Sequence, residues 1–246
     1  MKTSSSALIS LAALIAHVSG HGFITSPPPR QPGQAMAAAC GQQAYYNQAS
    51  DLGDNIQRLT QIARSQPDYN AAECNLWLCK GYQFSDNAAN VQTFTPGQTV
   101  PIIAHIHAPH TGTANVSIVS TRSNTVIGQA LKSFPVYASN QVGVPDSQKK
   151  FDIVIPSDIG NQCVIPGDCV IQWFWDARSI DETYESCIDF TVAQPEDADP
   201  LADLLSPELV PAELLNFVLP SGIAVPTTLK KLPTDTTFRG QQAPSP

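Results

Sequence analysis

Short segments in which polar and apolar residues alternate constrain the fold of this chain more than any other feature. Five of them are rich in β-branched and aromatic residues: Thr99 to His107, Ala114 to Ser120, Phe151 to Pro156, Cys169 to Asp176 and Cys187 to Ala193. Clusters of turn-forming residues separate them, a pattern typical of strands in one sandwich. We therefore predict an all-β fold, an immunoglobulin- or fibronectin-like β-sandwich of roughly five to eight strands.

One segment departs from the strand pattern. Between Gly53 and Gln66, the apolar residues Ile56, Leu59 and Ile62 recur at a helical spacing. This spacing predicts a surface helix inside a long loop insertion of the sandwich.

An apolar run near the start of the chain indicates a signal peptide. Lys2 precedes the run from Ala7 to Ala16, which is too short to span a bilayer. A peptidase that requires small residues before the cut would act after Gly20, so that residues 1–20 are removed. A cut after Ala16 is the alternative, and it would expose His17 instead of His21. We expect a secreted, extracellular protein that begins at His21.

The last part of the chain has a different composition. Residues 195–246 hold nine of the 21 prolines and are rich in acidic and hydroxyl residues, with Phe217 and Phe238 as isolated aromatics. Two isolated aromatic residues do not build a core. We predict a disordered extension that follows a single domain at residues 21–194, and no separate carbohydrate-binding module.

Six cysteines follow residue 20, and an even number in an exported chain predicts disulfides. Fifteen pairings are possible. Cys74 and Cys79 are close in sequence, as are Cys163 and Cys169, so each pair could staple a local loop. Cys40 would then pair with Cys187 and join the two ends of the domain.

The net charge excludes some partners. The chain carries a formal charge of −8 and its isoelectric point is about 4.9. Binding to nucleic acid or to an anionic membrane therefore has no electrostatic support, and we predict neither.

Four histidines follow residue 20: His21, His105, His107 and His110. An N-terminal histidine offers the α-amine and the ring Nδ1 to one metal ion, and the amine has an unperturbed pKa of only about 8. Nitrogen ligands in a near-planar arrangement favour Cu(II). A second histidine would supply the third nitrogen of such a site.

The second ligand is predicted to be His110. Pro109 before it and Gly112 after it indicate a loop at a strand end, where functional side chains are usually displayed. His105 and His107 alternate on a predicted strand and face one side of it, so either could be a ligand or a packed polar residue. His107 is the second choice.

Three segments resemble motifs of fungal lytic polysaccharide monooxygenases. His21 to Arg30 resembles the mature start of these enzymes, and Ala108 to Ser117 resembles their second-histidine motif. Tyr184 to Cys187 is similar to their axial-tyrosine and cysteine motif. The resemblance covers about residues 21–194.

Two further segments resemble one branch of these enzymes. Ala38 to Gly41 and Cys74 to Lys80 look most like auxiliary-activity family sixteen, whose known members attack cellulose. The starch-active family thirteen is the nearest competitor.

The resemblance implies a role for each site residue. His21 and His110 would bind one copper ion per chain, and Tyr184 would approach the copper axially through its phenol oxygen. Glu182 would hydrogen-bond the oxygen species there and manage its protons. Without the resemblance, Tyr184 would be interpreted as a core tyrosine, and Glu182 as part of a solvated acidic turn.

The implied activity is copper-dependent oxidative cleavage of a polysaccharide, most plausibly cellulose, with oxidation at C1 favoured over C4. Its partners would be an insoluble polysaccharide, an external electron donor (a small reductant or a redox enzyme), and dioxygen or hydrogen peroxide. We expect a monomer. The alternatives are the same chemistry on starch or chitin, a non-catalytic secreted copper-binding protein, and a metal-free polysaccharide-binding module. No paired-carboxylate motif of a glycoside hydrolase is recognisable.

Three further predictions concern individual side chains. Trp173 and Trp175 alternate within a predicted strand and are expected in the core rather than on a sugar-binding surface. Tyr45 and Tyr46, in the polar insertion, are better candidates for stacking on a sugar ring. Asn115 begins an Asn-Val-Ser sequence and is a candidate for N-glycosylation, although it lies in a predicted strand.

Overall fold

The structure, a computed structural model, describes residues 21–193. The described strands are β1 (His21–Ser26), β2 (Gln92–Phe94), β3 (Thr99–Ala108), β4 (Gly112–Ser120), β5 (Thr125–Tyr137), β6 (Lys150–Val154), β7 (Cys169–Ala177) and β8 (Glu182–Val192). The α-helices are α1 (Gln34–Cys40), α2 (Gln42–Ser50), α3 (Ile56–Arg64) and α4 (Asp146–Lys149). Short 3₁₀ helices lie at Cys79–Gly81, Phe84–Asp86, Ala88–Asn90 and Arg178–Ile180.

The strands form two sheets. One has three strands in the order β1-β3-β6, and the other has five in the order β2-β8-β7-β4-β5. β2 runs parallel to β8, and every other pair is antiparallel. The predicted immunoglobulin-like β-sandwich with a helical insertion is confirmed.

The core lies between the two sheets. Trp173 and Trp175 alternate on β7 and are buried together with Val116 and Ile118 of the neighbouring β4. The prediction that both tryptophans belong to the core is confirmed. Alternation places one set of side chains inward on each strand, which is why this hydrophobic pattern folds into a sandwich.

Strand β8 begins five residues before the predicted start at Cys187. Local composition alone would suggest an acidic turn around Glu182, yet the segment pairs with β7 in a continuous antiparallel register from Ala177↔Glu182 onward. The predicted start at Cys187 was wrong because tertiary contacts determine this segment: Gln57 of helix α3 exchanges two hydrogen bonds with Thr183, at 3.0 and 2.8 Å. Strands β1, β2 and β5 were not predicted.

Helix α3 lies inside the segment predicted to be helical. It begins after Asn55, whose side chain accepts a 2.8 Å hydrogen bond from the Arg58 N–H and so caps the first turn. Ile56 and Leu59 are buried, as their spacing predicted. Helices α1 and α2 of the same insertion were not predicted.

All six cysteines form disulfides, as predicted: Cys40–Cys74, Cys79–Cys187 and Cys163–Cys169. The Cys163–Cys169 pairing is confirmed. The predicted Cys74–Cys79 and Cys40–Cys187 pairings are wrong. Closeness in sequence misled the prediction, because Cys74 packs with Cys40 in the apolar cluster of the insertion, whereas Cys79 packs with Cys187 of β8 in another.

Asn115 lies in the middle of β4, between β5 and β7, and its side-chain oxygen accepts a 3.2 Å hydrogen bond from the Ser117 hydroxyl. Its glycosylation stays a prediction. The predicted signal peptide at residues 1–20 and the predicted extension at residues 195–246 lie outside the described residues, which span 21–193. Within that span, no helix is long and apolar enough to cross a membrane.

Candidate metal centre

The pairing of β1 with β3 places the two predicted metal ligands at one end of the sandwich. His21 is the first residue of β1, and its register partner is Ala108, the last residue of β3. His110 follows two residues later, in the short turn before β4. The predicted position of His110 in a loop at a strand end is confirmed.

Strand β8 brings two further predicted site residues to His110. Glu182 Oε2 lies 3.1 Å from His110 Nδ1, and the Tyr184 hydroxyl donates to the same carboxylate oxygen. Glu182 and Tyr184 are two residues apart on one strand, so their side chains share a face. Because Glu182 occupies Nδ1, the nitrogen that His110 can offer to a metal is Nε2.

Trp175 connects this cluster with the start of β1. Its ring stacks on that of Tyr184 with centroids 4.4 Å apart. On another side, a Cβ atom added to Gly22 would lie 3.2 Å from the Trp175 ring, so β1 packs tightly against this ring at Gly22. A continuous row of contacts therefore runs from Gly22 through Trp175, Tyr184 and Glu182 to His110.

The imidazole of His21 is oriented by a loop that the sequence did not single out. Its Nε2 atom lies 2.9 Å from Asp51 Oδ2 and 3.9 Å from Asp54 Oδ1. Asp51 is the residue that follows helix α2. With Nε2 directed at a carboxylate, Nδ1 is the ring nitrogen that His21 can offer to a metal.

His105 and His107 occupy a different place. Both side chains lie on one face of β3, as their alternation predicted, and both are exposed; His105 Nε2 lies 2.7 Å from His107 Nδ1. The His107 ring centroid is 6.4 Å from that of His21. His107 therefore lies near His21, whereas Glu182 of β8 contacts His110.

Two buried ionisable residues, Lys80 and Glu185, lie close to the Asp51 loop. Glu185 of β8 and Lys80 are both buried, and the Lys80 backbone N–H donates to Glu185 Oε2 over 3.3 Å. Burial raises the pKa of Glu185 to about 7 and lowers the pKa of Lys80 to about 8, since it penalises both charged forms. In the sequence, Glu185 stood in an acidic run that suggested a solvated turn. Its alternation with Tyr184 was the one signal that could have placed it on the opposite face.

The donor set fits a copper ion. Among residues 21–193, no group of three or more His, Cys, Asp or Glu side chains is arranged to hold a metal. A site built from a main-chain amine and two imidazoles does not need a third such side chain, and nitrogen donors of this kind suit Cu(II). His21 and His110 each have one ring nitrogen next to a carboxylate, as metal-binding histidines usually do.

Comparisons with known proteins agree with this chemistry. A family described as "lytic polysaccharide mono-oxygenase, cellulose-degrading" matches residues 21–190. No curated protein sequence matches the chain. This match defines the class of protein, a copper-dependent oxidoreductase that acts on polysaccharides. The chain belongs to the lytic polysaccharide monooxygenase family.

Solved structures similar to this chain include an AA10 lytic polysaccharide monooxygenase from Streptomyces lividans, at 15% identity and a TM-score of 0.40, over 70% of this chain and 99% of that chain. A Bacillus amyloliquefaciens CBM33 protein in complex with Cu(I) has 14% identity and a TM-score of 0.39, over 70% and 100%. An AA15 enzyme from Thermobia domestica in the Cu(I) state has 16% identity and a TM-score of 0.36, over 70% and 99%.

Family membership confirms the expected enzyme class, the copper cofactor and oxidative cleavage of a polysaccharide with an external reductant and dioxygen or hydrogen peroxide. The finer assignment to auxiliary-activity family sixteen has no support in these comparisons. The motifs that suggested it, around Cys40 and Cys74 to Lys80, form the disulfide-linked insertion.

Proposed function

We propose that the secreted, monomeric protein begins at His21, binds one copper ion and cleaves cellulose by oxidation at C1. The ligands are the His21 amine, His21 Nδ1 and His110 Nε2. The observation that carries the proposal is the hydrogen-bonded set of His110, Glu182 and Tyr184 beside the first residue of β1. Removal of residues 1–20 is part of the proposal, because the amine is available only after cleavage.

When bound, copper supplies the one-electron chemistry by which a reductant and dioxygen or hydrogen peroxide oxidise a sugar carbon beside the glycosidic bond. The residues of the chain itself orient the metal-binding side chains. Glu182 fixes the orientation of the His110 ring through Nδ1 and accepts a hydrogen bond from the Tyr184 hydroxyl, so a carboxylate lies next to the second ligand. The stacked Trp175 ring keeps Tyr184 in place.

His110 is a better second ligand than His107 because of its surroundings. Its side chain is held by a carboxylate that also contacts Tyr184, whereas His107 is exposed and hydrogen-bonds another histidine. A metal-binding histidine usually has its second nitrogen engaged by a carboxylate, a carbonyl or a water. Of the two candidates for the second ligand, His110 has such a carboxylate partner, whereas the partner of His107 is the ring of His105.

Cellulose as the substrate is supported by the description of the matching family and by one exposed aromatic residue. Tyr46 on α2 is 54% exposed and contacts the ring of Tyr45. Helix α2 leads directly to Asp51, the partner of His21, so Tyr46 is a candidate for stacking on a sugar ring near the site.

Trp77 is also exposed, but it lies elsewhere. Its carbonyl accepts a 3.1 Å hydrogen bond from Asn124, in the turn after β4. That turn is at the opposite end of β4 from His110. Trp77 is therefore a matched control for Tyr46.

The test is mass spectrometry of the soluble products formed by copper-loaded protein that begins at His21. The protein is incubated with cellulose, starch and chitin in the presence of ascorbate. We expect C1-oxidised oligosaccharides from cellulose, absent in His110→Ala and retained in His107→Ala. Intact-mass measurement of the secreted protein checks the cut after Gly20, and sedimentation checks the monomer.

Three outcomes would contradict the proposal. Oxidised products from starch or chitin alone would overturn the substrate. Loss of products in His107→Ala but not in His110→Ala would exchange the ligands. Tight copper binding with no oxidised product from any polymer would favour a non-catalytic copper-binding protein.

A further inference from the structure

Residues 51–54 form a loop, here called the N-terminal clamp, that contacts both the main chain and the side chain at the start of β1. The Gly22 N–H donates to the Gly53 carbonyl over 3.3 Å. Asp51 Oδ2 lies 2.9 Å from His21 Nε2. A loop that grips the strand and the ring together can set the orientation of the His21 imidazole.

The N-terminal clamp has its own internal hydrogen bonds. Asp51 Oδ1 accepts from the Gly53 N–H over 2.8 Å, and the buried Asp54 carboxylate accepts from the Asn55 N–H and from Asn47 Nδ2, both over 2.9 Å. A Cβ atom on Gly53 would lie 3.0 Å from Gly22 N and 3.2 Å from His21 Cβ. The clamp is therefore held by its own hydrogen bonds and is packed tightly on the first two residues of β1.

A buried lysine supports the N-terminal clamp from below. Lys80 is only 2% exposed, and its ammonium donates to the carbonyls of Leu52 and, over 3.4 Å, Asp54. Burial of an ammonium group destabilises the fold unless hydrogen-bond acceptors surround it. Here its donors meet the backbone of the clamp itself.

Strand β8 contacts the segment that carries Lys80 at two points. The Lys80 N–H donates to Glu185 Oε2, and the adjacent Cys79 forms a disulfide with Cys187 of the same strand. Tyr184, with its side chain on the other face of β8, contacts Glu182. One strand thus carries the hydrogen-bonded partners of His110 on one face and the support of the His21 clamp on the other.

We propose that Asp51 is a positioning residue for the metal centre: it holds the Nε2–H tautomer of His21 and so directs Nδ1 to copper. Lys80 fixes the backbone of the N-terminal clamp through its hydrogen bonds to the carbonyls of Leu52 and Asp54. The inference rests on the proposed copper ligands. Partners of this kind orient a metal-binding imidazole and raise its basicity, and their loss typically lowers metal affinity by about 10- to 100-fold.

The first test uses metal-free protein and so does not depend on catalysis. In ¹⁵N-labelled protein that begins at His21, two-bond ¹H–¹⁵N correlation spectra distinguish the two neutral tautomers of its ring. We expect His21 to be protonated at Nε2 in the wild type and to be a mixture of tautomers in Asp51→Ala. A ring protonated at Nδ1 in the wild type, or an identical spectrum in Asp51→Ala, would overturn the proposal.

The second test measures copper affinity by competition titration and the Cu(II) site by electron paramagnetic resonance. Asp51→Ala should bind Cu(II) about 10- to 100-fold more weakly than wild type with an altered spectrum, and Lys80→Met should move both readouts in the same direction. Asp51→Asn keeps one acceptor oxygen where the carboxylate uses two, for the Gly53 N–H and for His21 Nε2, so it should weaken copper binding less than Asp51→Ala does. Asp168→Ala, which removes the carboxylate paired with Arg122, is the matched control and should match wild type.

Circular dichroism of each metal-free variant establishes that it is folded. A folded Asp51→Ala protein with wild-type affinity and spectrum would refute the positioning role. Failure of the proposed function gives a different pattern, because wild-type protein would then bind copper without yielding oxidised sugars, or would not bind it, while the tautomer measurement would still report on Asp51. Should Asp51→Ala not fold, Asp51→Asn and Lys80→Met replace it, and a wild-type tautomer and a wild-type copper affinity in both would refute the positioning role.

Discussion

Glu185 makes the stability of this protein depend on pH in a predictable direction. The side chain is 1% exposed, and its Oε1 has no hydrogen-bond partner among the described residues. Burial raises its pKa from 4.5 to about 7, despite hydrogen bonds from the backbone of Lys80 and Cys79 that favour the charged form. Glu185→Gln removes the ionisation and retains an oxygen that can accept from the Lys80 N–H.

The raised pKa of Glu185 makes the protein less stable as the pH rises. Between pH 4.5 and 7 the unfolded chain releases the Glu185 proton while the folded chain keeps it, so the contribution of this proton to stability is complete below pH 4.5 and is lost as the pH rises to 7. One pKa unit corresponds to about 1.4 kcal/mol, so the loss over this interval is about 3 kcal/mol. Above pH 7 the contribution of this group no longer changes.

Urea unfolding of the metal-free protein at several pH values measures this effect. The free energy of unfolding of wild type minus that of Glu185→Gln should fall by about 3 kcal/mol from pH 4.5 to pH 7 and then stay level. Glu73→Gln, which neutralises an exposed carboxylate, should show no such slope. Parallel pH profiles for wild type and Glu185→Gln would refute the reasoning.

Three further predictions concern other contacts. Tyr184→Phe removes the donor to the Glu182 carboxylate and should lower the free energy of unfolding by about 1.5–3 kcal/mol in urea titrations, with slower product formation. Removal of the Cys79–Cys187 disulfide, whose cysteines are 108 residues apart, should cost about 2–3 kcal/mol more than removal of Cys163–Cys169, at a separation of 6, in the same titrations. Tyr46→Ala should weaken binding to cellulose in a pull-down assay by roughly 2- to 10-fold, through loss of about 0.5–1.5 kcal/mol of ring contact.

Each of these predictions has a clear contrary result. Unchanged stability in Tyr184→Phe would mean that the short contact with Glu182 is not a stabilising hydrogen bond. Equal costs for the two disulfides would mean that loop length does not govern their contribution. A loss of cellulose binding in Trp77→Ala as large as that in Tyr46→Ala would place the binding surface at the other end of the sandwich.

The sequence alone was sufficient to predict those strands and helices that depend on a local pattern. Alternation over β3, β4 and β7 predicted strands, because a side-chain period of two follows from the pleated backbone itself. The spacing of Ile56 and Leu59 predicted α3, because the side chains of a helix repeat every 3.6 residues. Pro109 and Gly112 indicated a strand end at His110, since proline fixes its own φ angle and glycine permits turn conformations, and both effects are local.

The sequence was not sufficient where the partner is distant in the chain. The pairing of Cys79 with Cys187 depends on the position of the insertion against β8, and no spacing within the sequence encodes it. The polar segment at the start of β8 is a strand because α3 and β7 supply its hydrogen bonds, which local propensity does not register.

The same division applies to the site. His21 and His110 could be singled out from the sequence because their residue types and local contexts carry the chemistry of a copper ligand. The contacts that orient them could not, because Asp51, Lys80 and Glu185 are ordinary charged residues whose meaning depends on what surrounds them. Lys80 and Glu185 are buried, Lys80 donates to a carbonyl of the clamp, and Asp51 contacts His21. These contacts form only when the chain is folded.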